Sequence, residues 1–415
     1  MNILVCGANG FIGRHICDAF TAAGHSVRRG VRRAVTPSDM EIDFMHDVHA
    51  DDWLSRLQGI DVVVNAVGIL CERADSTFAS IHRDAPMALI DACERAGVRQ
   101  FVQISALGND STTTPYMRTK READAYLMAS RPEWTILRPS LVVGMDGASS
   151  RFFRMLASLP VVGLPGRGDQ RLQPVHVDDL CEAVVRCLDA PPRQVVNVVG
   201  PEPMTYRTML EVYRAAMNMR PAFWLSVPMG VMRVSAAVAA RLPQRVFSPD
   251  TLRMLEDGNL ADSDGVTRLL GHPLKGATEW FADIDAQAIR WQAMASWAVS
   301  LLRVVLAMVW IATGIVSLWL YPTNDSLALI ERVGLQGSSA QLVLYGAAVA
   351  DCVIGFATLI FSGWFLWRLQ IALILAYTAI ITVFLPEFWL HPFGPVLKNL
   401  PILAILVVLE SAETH

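Results

Sequence analysis

The chain has 415 residues, 53% hydrophobic and 18% charged, with mean hydropathy +0.36 and net charge −4. A soluble domain is about 25% charged, so these totals exclude a purely soluble enzyme, and a pI of 6.1 removes the electrostatic case for nucleic-acid binding. The 125 positions from Trp291 onward hold ten charged residues against 64 in the 290 before them. That excludes a transporter filling the whole chain and divides it into a globular front, 1–290, and a bilayer-like back, 291–415.

Asn2–Cys6 is an apolar run that follows Met1 without a charged region and signal core, so the front is expected on the cytoplasmic side. The seven cysteines, Cys6, Cys17, Cys71, Cys93, Cys181, Cys187 and Cys352, lack any C-x-x-C and read as buried free thiols in a reduced compartment. No metal site is expected.

The first run ends in Gly7-x-x-Gly10-x-x-Gly13, and a helical pattern with Ile12, Ile16, Ala19 and Phe20 on one face follows, stopping at Gly24. Strand, glycine turn and helix is the phosphate-binding opening of a dinucleotide fold. Gly7 permits the bend, Gly10 lets backbone approach a pyrophosphate, and Gly13 lets helix pack on strand. Gly7, Asn9, Gly10, Phe11, Ile12 and Gly13 are therefore candidate cofactor contacts.

Further strands are predicted at His25–Val31, Ile60–Val67, Gln100–Ser105, Thr135–Arg138 and Val195–Val199, with helices including Ala79–Ala96 and Thr119–Ser130. The alternation predicts an α/β doubly wound parallel sheet of Rossmann type. A small α/β substrate subdomain is expected mainly within 140–285. The second strand runs into Arg28-Arg29-Gly30-Val31-Arg32-Arg33. An acidic residue at this distance past the glycines takes the ribose of NAD, whereas arginine suits a 2′-phosphate. Arg32 thus favours NADP(H), with NAD(H) and a solvated basic edge as alternatives.

Tyr116 precedes Lys120 by four residues, after the strand that ends at Ser105. With seven tyrosines and only three lysines (Lys120, Lys275, Lys398), composition predicts far fewer than one such pair. On a helix the two side chains share a face, and an ammonium beside a phenol lowers the phenol's pKa. Tyr116 then reads as a general acid or base, Lys120 as its tuner and a contact to the nicotinamide ribose, and Ser105 as the group holding the substrate oxygen; an ordinary surface pair is the bland alternative. The glycine-rich loop 163–173 carries Arg167 and Arg171, which either meet an anionic group or are simply solvated. The stripe Phe152, Phe153, Leu156 and Leu159 reads as core. The apolar stretch Phe223–Leu242 reads as a substrate-domain helix or as one lying on the membrane surface.

The back predicts an all-α, four-helix membrane domain, with spans near Trp297–Leu320, Leu342–Phe361, Phe365–Leu385 and Pro395–Leu409. Arg303 and Asp351 fall inside spans and are expected to pair, with Arg368 as a rival partner. A structural staple and a quinone or proton site are both open readings of that pair.

Together, Gly7/Gly10/Gly13, Asp47-Val48, Asn65-Ala66-Val67-Gly68, Ser105, Tyr116-x-x-x-Lys120, Arg138-Pro139-Ser140 and Pro174–Leu180 resemble the short-chain dehydrogenase/reductase superfamily, in its extended and atypical branches. Their order is similar to the group containing the NADPH-binding accessory subunit of respiratory complex I. The resemblance implies that Asp47 and Val48 contact the adenine and that Asn65, Ala66, Val67 and Gly68 line the nucleotide ribose side. One departure is His82, standing where the superfamily often has asparagine; it reads as part of a proton path or as a plain polar helix residue. The tail's Arg303, Trp310, Gly314 and Lys398-Asn-Leu-Pro401 resemble DoxX-like membrane modules. The expected protein is a membrane-anchored NADP(H)-dependent oxidoreductase or epimerase-like enzyme acting on a carbonyl or alcohol of a lipid-soluble small molecule. It would be multi-pass in the inner (cytoplasmic) membrane, with the lipid bilayer and a membrane protein as partners. The alternative is a non-catalytic NADPH-binding structural or redox-sensing subunit of a respiratory or quinone-related membrane complex.

Overall fold

The computed structural model describes residues 1–73, 76–108, 114–241, 246–282 and 284–413. The chain divides into two compact units, Met1–Arg290 and Trp291–His415. In the first, seven strands form one sheet: β1 (Asn2–Cys6), β2 (Ser26–Val31), β3 (Asp39–Glu41), β4 (Val62–Asn65), β5 (Gln100–Ile104), β6 (Glu133–Pro139) and β7 (Gln194–Val198). Every pairing is parallel, and the strands lie in the order β7-β6-β5-β4-β1-β2-β3. Central strands of such a sheet are covered on both faces and read as unbroken apolar runs. In β1, Ile3 and Val5 enter one core with Ile16 and Phe20, while Leu4 and Cys6 enter the other with Trp53 and Leu89. Strand order reverses between β1 and β4, so the crevice at their C-terminal ends is the topological switch point.

The glycine turn takes the form its spacing predicts. Gly7 has φ +83°, and a Cβ on Gly13 would stand 2.1 Å from the Gly7 carbonyl oxygen, so helix α1 (Phe11–Ala22) packs on β1 only without a side chain there. Helix boundaries differ in two informative places. The stretch predicted as Ala79–Ala96 opens with a π-helical turn, Ser80–Asp84, before α2 (Ala85–Ala96). The helix predicted from Thr119 begins four residues earlier as α3 (Pro115–Ala129). Thr114 caps it by accepting from the Met117 N–H, and Pro115 takes the first turn, where a missing N–H costs nothing. Tyr116 is therefore in the helix's first turn and not before it. The short strand β3 has no apolar run to announce it.

The substrate part adds small strand pairs, among them Val161–Pro165 with Phe223–Val227. The predicted apolar helix Phe223–Leu242 is in fact that strand, then Pro228, then a helix Met229–Ala239; Leu242 lies outside the described residues. Five of the seven cysteines are buried, and Cys71 and Cys352 are half-buried.

In the second unit three helices are long and apolar enough to cross a bilayer: Ala286–Leu320, Ser338–Ile360 and Trp364–Phe384. The predicted fourth span is a 15-residue helix, Asn399–Glu413. It falls short of the roughly 20 residues a crossing takes, yet its Leu406 and Leu409 share a core with Leu306, Trp310, Ile354, Trp367 and Ile374 of the other three. The expected Arg303–Asp351 pair does not form. Arg303 donates to the carbonyls of Thr358 and Phe361, at the C-terminal end of the Ser338–Ile360 helix. Those last carbonyls lack intrahelical partners and attract a cation, while Asp351 lies two turns, roughly 10 Å, further along. Arg368 pairs instead with Glu410 at 2.7 Å. Gln370, fully buried, joins Trp310 (2.7 Å) to Thr358 (3.2 Å) across the bundle.

Gly13→Ala places its methyl against backbone and should cost about 1–3 kcal/mol. Gly230→Ala, a helix position with nothing within 4 Å of the added carbon, should gain about 0.5–1 kcal/mol. Thermal unfolding of the detergent-solubilised chain checks both; equal effects would contradict the packing described for α1.

Candidate active site

Two loops face each other across the switch-point crevice. A Cβ on Gly7 would sit 3.1 Å from the Ala66 carbonyl oxygen, so the turn after β1 touches the turn after β4. The N-terminus of α1 has Gly10 at its cap, with no side-chain hydrogen bond closing it. On the β2 side, Arg29 donates to Asn9 Oδ1 at 2.8 Å, and its other terminal nitrogen is 3.6 Å from Asp39. Arg29, passed over in the sequence in favour of its neighbour, is the arginine that grips the glycine loop, while Arg32 is exposed just past the strand's end.

Asp47 follows β3. Its carboxylate accepts from the Asp43 N–H at 2.6 Å and pairs with Arg56 at 2.7 Å, and its carbonyl accepts from Trp53 Nε1. Val48 packs on the adjoining apolar core. Asn65 ends β4: its Oδ1 accepts from the Val67 N–H and its Nδ2 donates to Gln103 Oε1. That turn brings Val67 and Gly68 to Lys120.

Lys120 is buried, and its Nζ donates to two backbone carbonyls, Val67 O at 3.3 Å and Ile104 O at 3.2 Å. Burial pushes its pKa down to about 8, against a smaller upward pull from Asp124. A Cβ on Gly68 would be 3.5 Å from that Nζ and 3.7 Å from His82 Nε2. His82 stands in the π-helical turn and belongs to this cluster. Its Nε2 accepts from the Ile69 N–H at 3.0 Å, and its ring meets Tyr116 edge-on at 5.1 Å and stacks on Phe78 at 5.4 Å. Burial and Lys120 hold its pKa well below the usual range, so the ring is neutral. With Nε2 accepting, the proton sits on Nδ1, which is 3.4 Å from Thr119 Oγ1.

Tyr116 and Lys120 lie on one face of α3 as their spacing predicts. The expected lowering of the phenol is not found. Burial among Phe78, Met117 and Ile69 pushes the Tyr116 pKa up to about 12, and the Lys120 ammonium is held by the two carbonyls. Ser105 donates to Asp124 Oδ2 at 2.8 Å, and Arg138 donates twice to the same oxygen, at 3.2 and 3.1 Å. Asp124 escaped notice in the sequence, although it continues the 116–120 spacing by four. Beside this cluster lies a cavity of about 950 Å³, reached from Met117 and Arg138 and lined also by Arg121, Arg171, Asn197 and Met229. Arg171 is among the lining residues and Arg167 is not.

Residues 3–199 match the NAD dependent epimerase/dehydratase family, and residues 307–407 match the DoxX-like family. The chain is similar to the NADH dehydrogenase [ubiquinone] 1 alpha subcomplex subunit 9 of Arabidopsis thaliana mitochondria. The two are 25% identical over 305 residues, which is 66% of this chain and 75% of that protein. It is also similar to a ceramide reductase of Caulobacter vibrioides, 26% identical over 247 residues, 57% of this chain and 77% of that one. Among solved structures, human epimerase family protein SDR39U1 with NADPH superposes with TM-score 0.54 at 21% identity, covering 70% of this chain and 99% of that one. MoeE5 in complex with UDP-glucuronic acid and NAD gives 0.53 at 20%, covering 71% and 100%. These two superpositions speak for the fold alone.

Lys120 supplies a pH signature. Below pH 8 both folded and unfolded chains carry its proton, and the full cost of burying the ammonium is present. From about pH 8 to the ordinary 10.5 the folded chain has released the proton and the unfolded chain has not, so stability rises with pH. In urea denaturation without nucleotide, the stability of wild type minus that of Lys120→Met should climb between pH 8 and 10. A flat difference would contradict a buried, depressed lysine.

Proposed function

We propose that this chain, whose residues 3–199 match the NAD dependent epimerase/dehydratase family and whose residues 307–407 match the DoxX-like family, is an NADP(H)-dependent oxidoreductase acting on the carbonyl or alcohol of a lipid-soluble substrate. In this reading it is a multi-pass protein of the inner membrane with its catalytic domain on the cytoplasmic side. The observation that carries the reading is Lys120: a buried amine held between the Val67 and Ile104 carbonyls, one helical turn from Tyr116 and beside Gly68.

The residues present fit a nicotinamide dinucleotide. The Gly7–Gly13 turn and the helix end with no side-chain cap form a cradle for a pyrophosphate. Arg29 and Arg32 stand where a 2′-phosphate would meet them, Asp47 and Val48 on the adenine side, and Asn65, Ala66, Val67 and Gly68 on the ribose side, with Lys120 at the nicotinamide ribose. When bound, the cofactor supplies or accepts the hydride at the carbonyl carbon. Tyr116 gives its phenolic proton to the substrate oxygen in reduction, and burial keeps that phenol in the donor form. His82 shapes the wall beside Tyr116 and holds the Gly68–Ile69 turn. Ser105, its own proton given to Asp124, fixes the Asp124–Arg138 pair at the cavity edge.

The commitment of Ser105 to Asp124 also favours a second reading, in which the domain keeps NADPH as a structural or redox-sensing subunit of a membrane complex. NADPH oxidation by the full chain in nanodiscs, against a panel of long-chain ketones and quinones, separates the two. Tyr116→Phe should lower kcat by about 10²–10⁴-fold and leave nucleotide affinity within about twofold. Equal turnover by the variant would remove Tyr116 as the proton donor, and tight NADPH binding without oxidation of any substrate would favour the structural reading. Fluorescence titration should show NADPH bound at least about tenfold tighter than NADH, with Arg32→Asp narrowing the gap. Tighter NADH binding by wild type would overturn the cofactor assignment.

A further inference from the structure

The segment 212–249 is set apart by charge. It holds five arginines (Arg214, Arg220, Arg233, Arg241, Arg245) and no acidic residue, in a chain whose net charge is −4; Arg214 is buried on internal carbonyls, while Arg220, Arg233 and Arg241 are exposed. Its helix Met229–Ala239 carries Val231, Val234 and Val238 along one face, at three- and four-residue spacing, and these are 54%, 66% and 53% exposed. Only Ala236 of that helix is buried, and Arg233 ties it to Glu256 at 3.0 Å. In the preceding strand Phe223 and Leu225 are exposed too, with exposed Val161 paired opposite Phe223. Grouped exposed apolar side chains of this kind mark a surface made to be covered.

Two observations say by what. The same chain carries three helices of bilayer length, so the front domain works beside a bilayer. An apolar helix face in a segment with arginines and no carboxylate also matches an interface of acyl chains under anionic headgroups. The helix bears on the site as well: Met229, its first residue, and Glu256, which holds Arg233, both line the cavity of about 950 Å³.

We infer that the Met229–Ala239 helix seats its valine face in the interfacial layer of an anionic bilayer, so that the cavity is loaded from the lipid surface. The loading clause rests on the proposed lipid-soluble substrate; the seating of the helix does not. The full chain carrying V234C labelled with NBD is reconstituted in phosphatidylcholine/phosphatidylglycerol nanodiscs. C71S and C352S remove the two cysteines that are not buried. Doxyl-labelled lipids should quench the probe by roughly twofold, and aqueous iodide should not. Quenching by iodide alone would place the helix in water. Quenching by neither would mean that protein, a second copy or another part of this chain, covers the face. Either result overturns the inference. NADPH binding to the same nanodiscs reports the proposed function separately, so the two fail independently.

Discussion

A positive charge placed where water is excluded organises the front domain's site. Lys120 loses most of its hydration, and the fold compensates with two backbone carbonyls, Val67 in the turn after β4 and Ile104 at the end of β5, and with the carboxylate of Asp124. Both carbonyls must be aimed inward. Asn65 does this for the first by capping its own turn with the Val67 N–H and reaching across to Gln103. His82 does the same for the next residues, taking the Ile69 N–H. Gly68 keeps a side chain away from the ammonium, since a Cβ there would stand 3.5 Å from Nζ. A buried lysine so held is expensive, and its pKa near 8 records that expense.

The parallel sheet makes this arrangement possible. Loops after β1 and β4 diverge at the point where strand order reverses, and helix α3 delivers Tyr116, Lys120 and Asp124 to that edge with one turn between each. The Ser105–Asp124–Arg138 linkage then ties the active-site helix to β5 and β6 and to the cavity. In the tail the same rule, that a charge must find partners where water is scarce, has another solution: Arg303 takes the last carbonyls of a helix.

Much of this was legible in the residues, and the exceptions share a cause. The glycine spacing, the strand–helix alternation, the Tyr116–Lys120 pair and the apolar tail are local patterns, and local patterns survive in one dimension. The partners of a charge do not. Arg303 and Asp351 look like a pair because side chains of opposite sign can be seen in a sequence, whereas unpaired helix-end carbonyls cannot. Arg29 looks no different from Arg32 until β2 is laid beside the Asn9 loop. The spacing of four from Lys120 predicts a lowered phenol, but burial raises it and the carbonyls occupy the amine. His82 reads as an ordinary polar residue until the π-helical turn swings it against Tyr116. The fourth predicted span has the right composition and too few helical residues, its N-terminal part being spent on a loop through Pro395–Lys398.

The central claim is that this site moves hydride between a nicotinamide and a carbonyl carbon with Tyr116 as the proton source. Isotope transfer tests it most directly. The full chain, incubated in nanodiscs with a bacterial lipid extract and NADPH deuterated at C4 of the nicotinamide, should place one non-exchangeable deuterium on the carbinol carbon of a lipid alcohol, read by mass spectrometry. Nucleotide that stays bound with its deuterium, and a lipid pool that gains none, would contradict it.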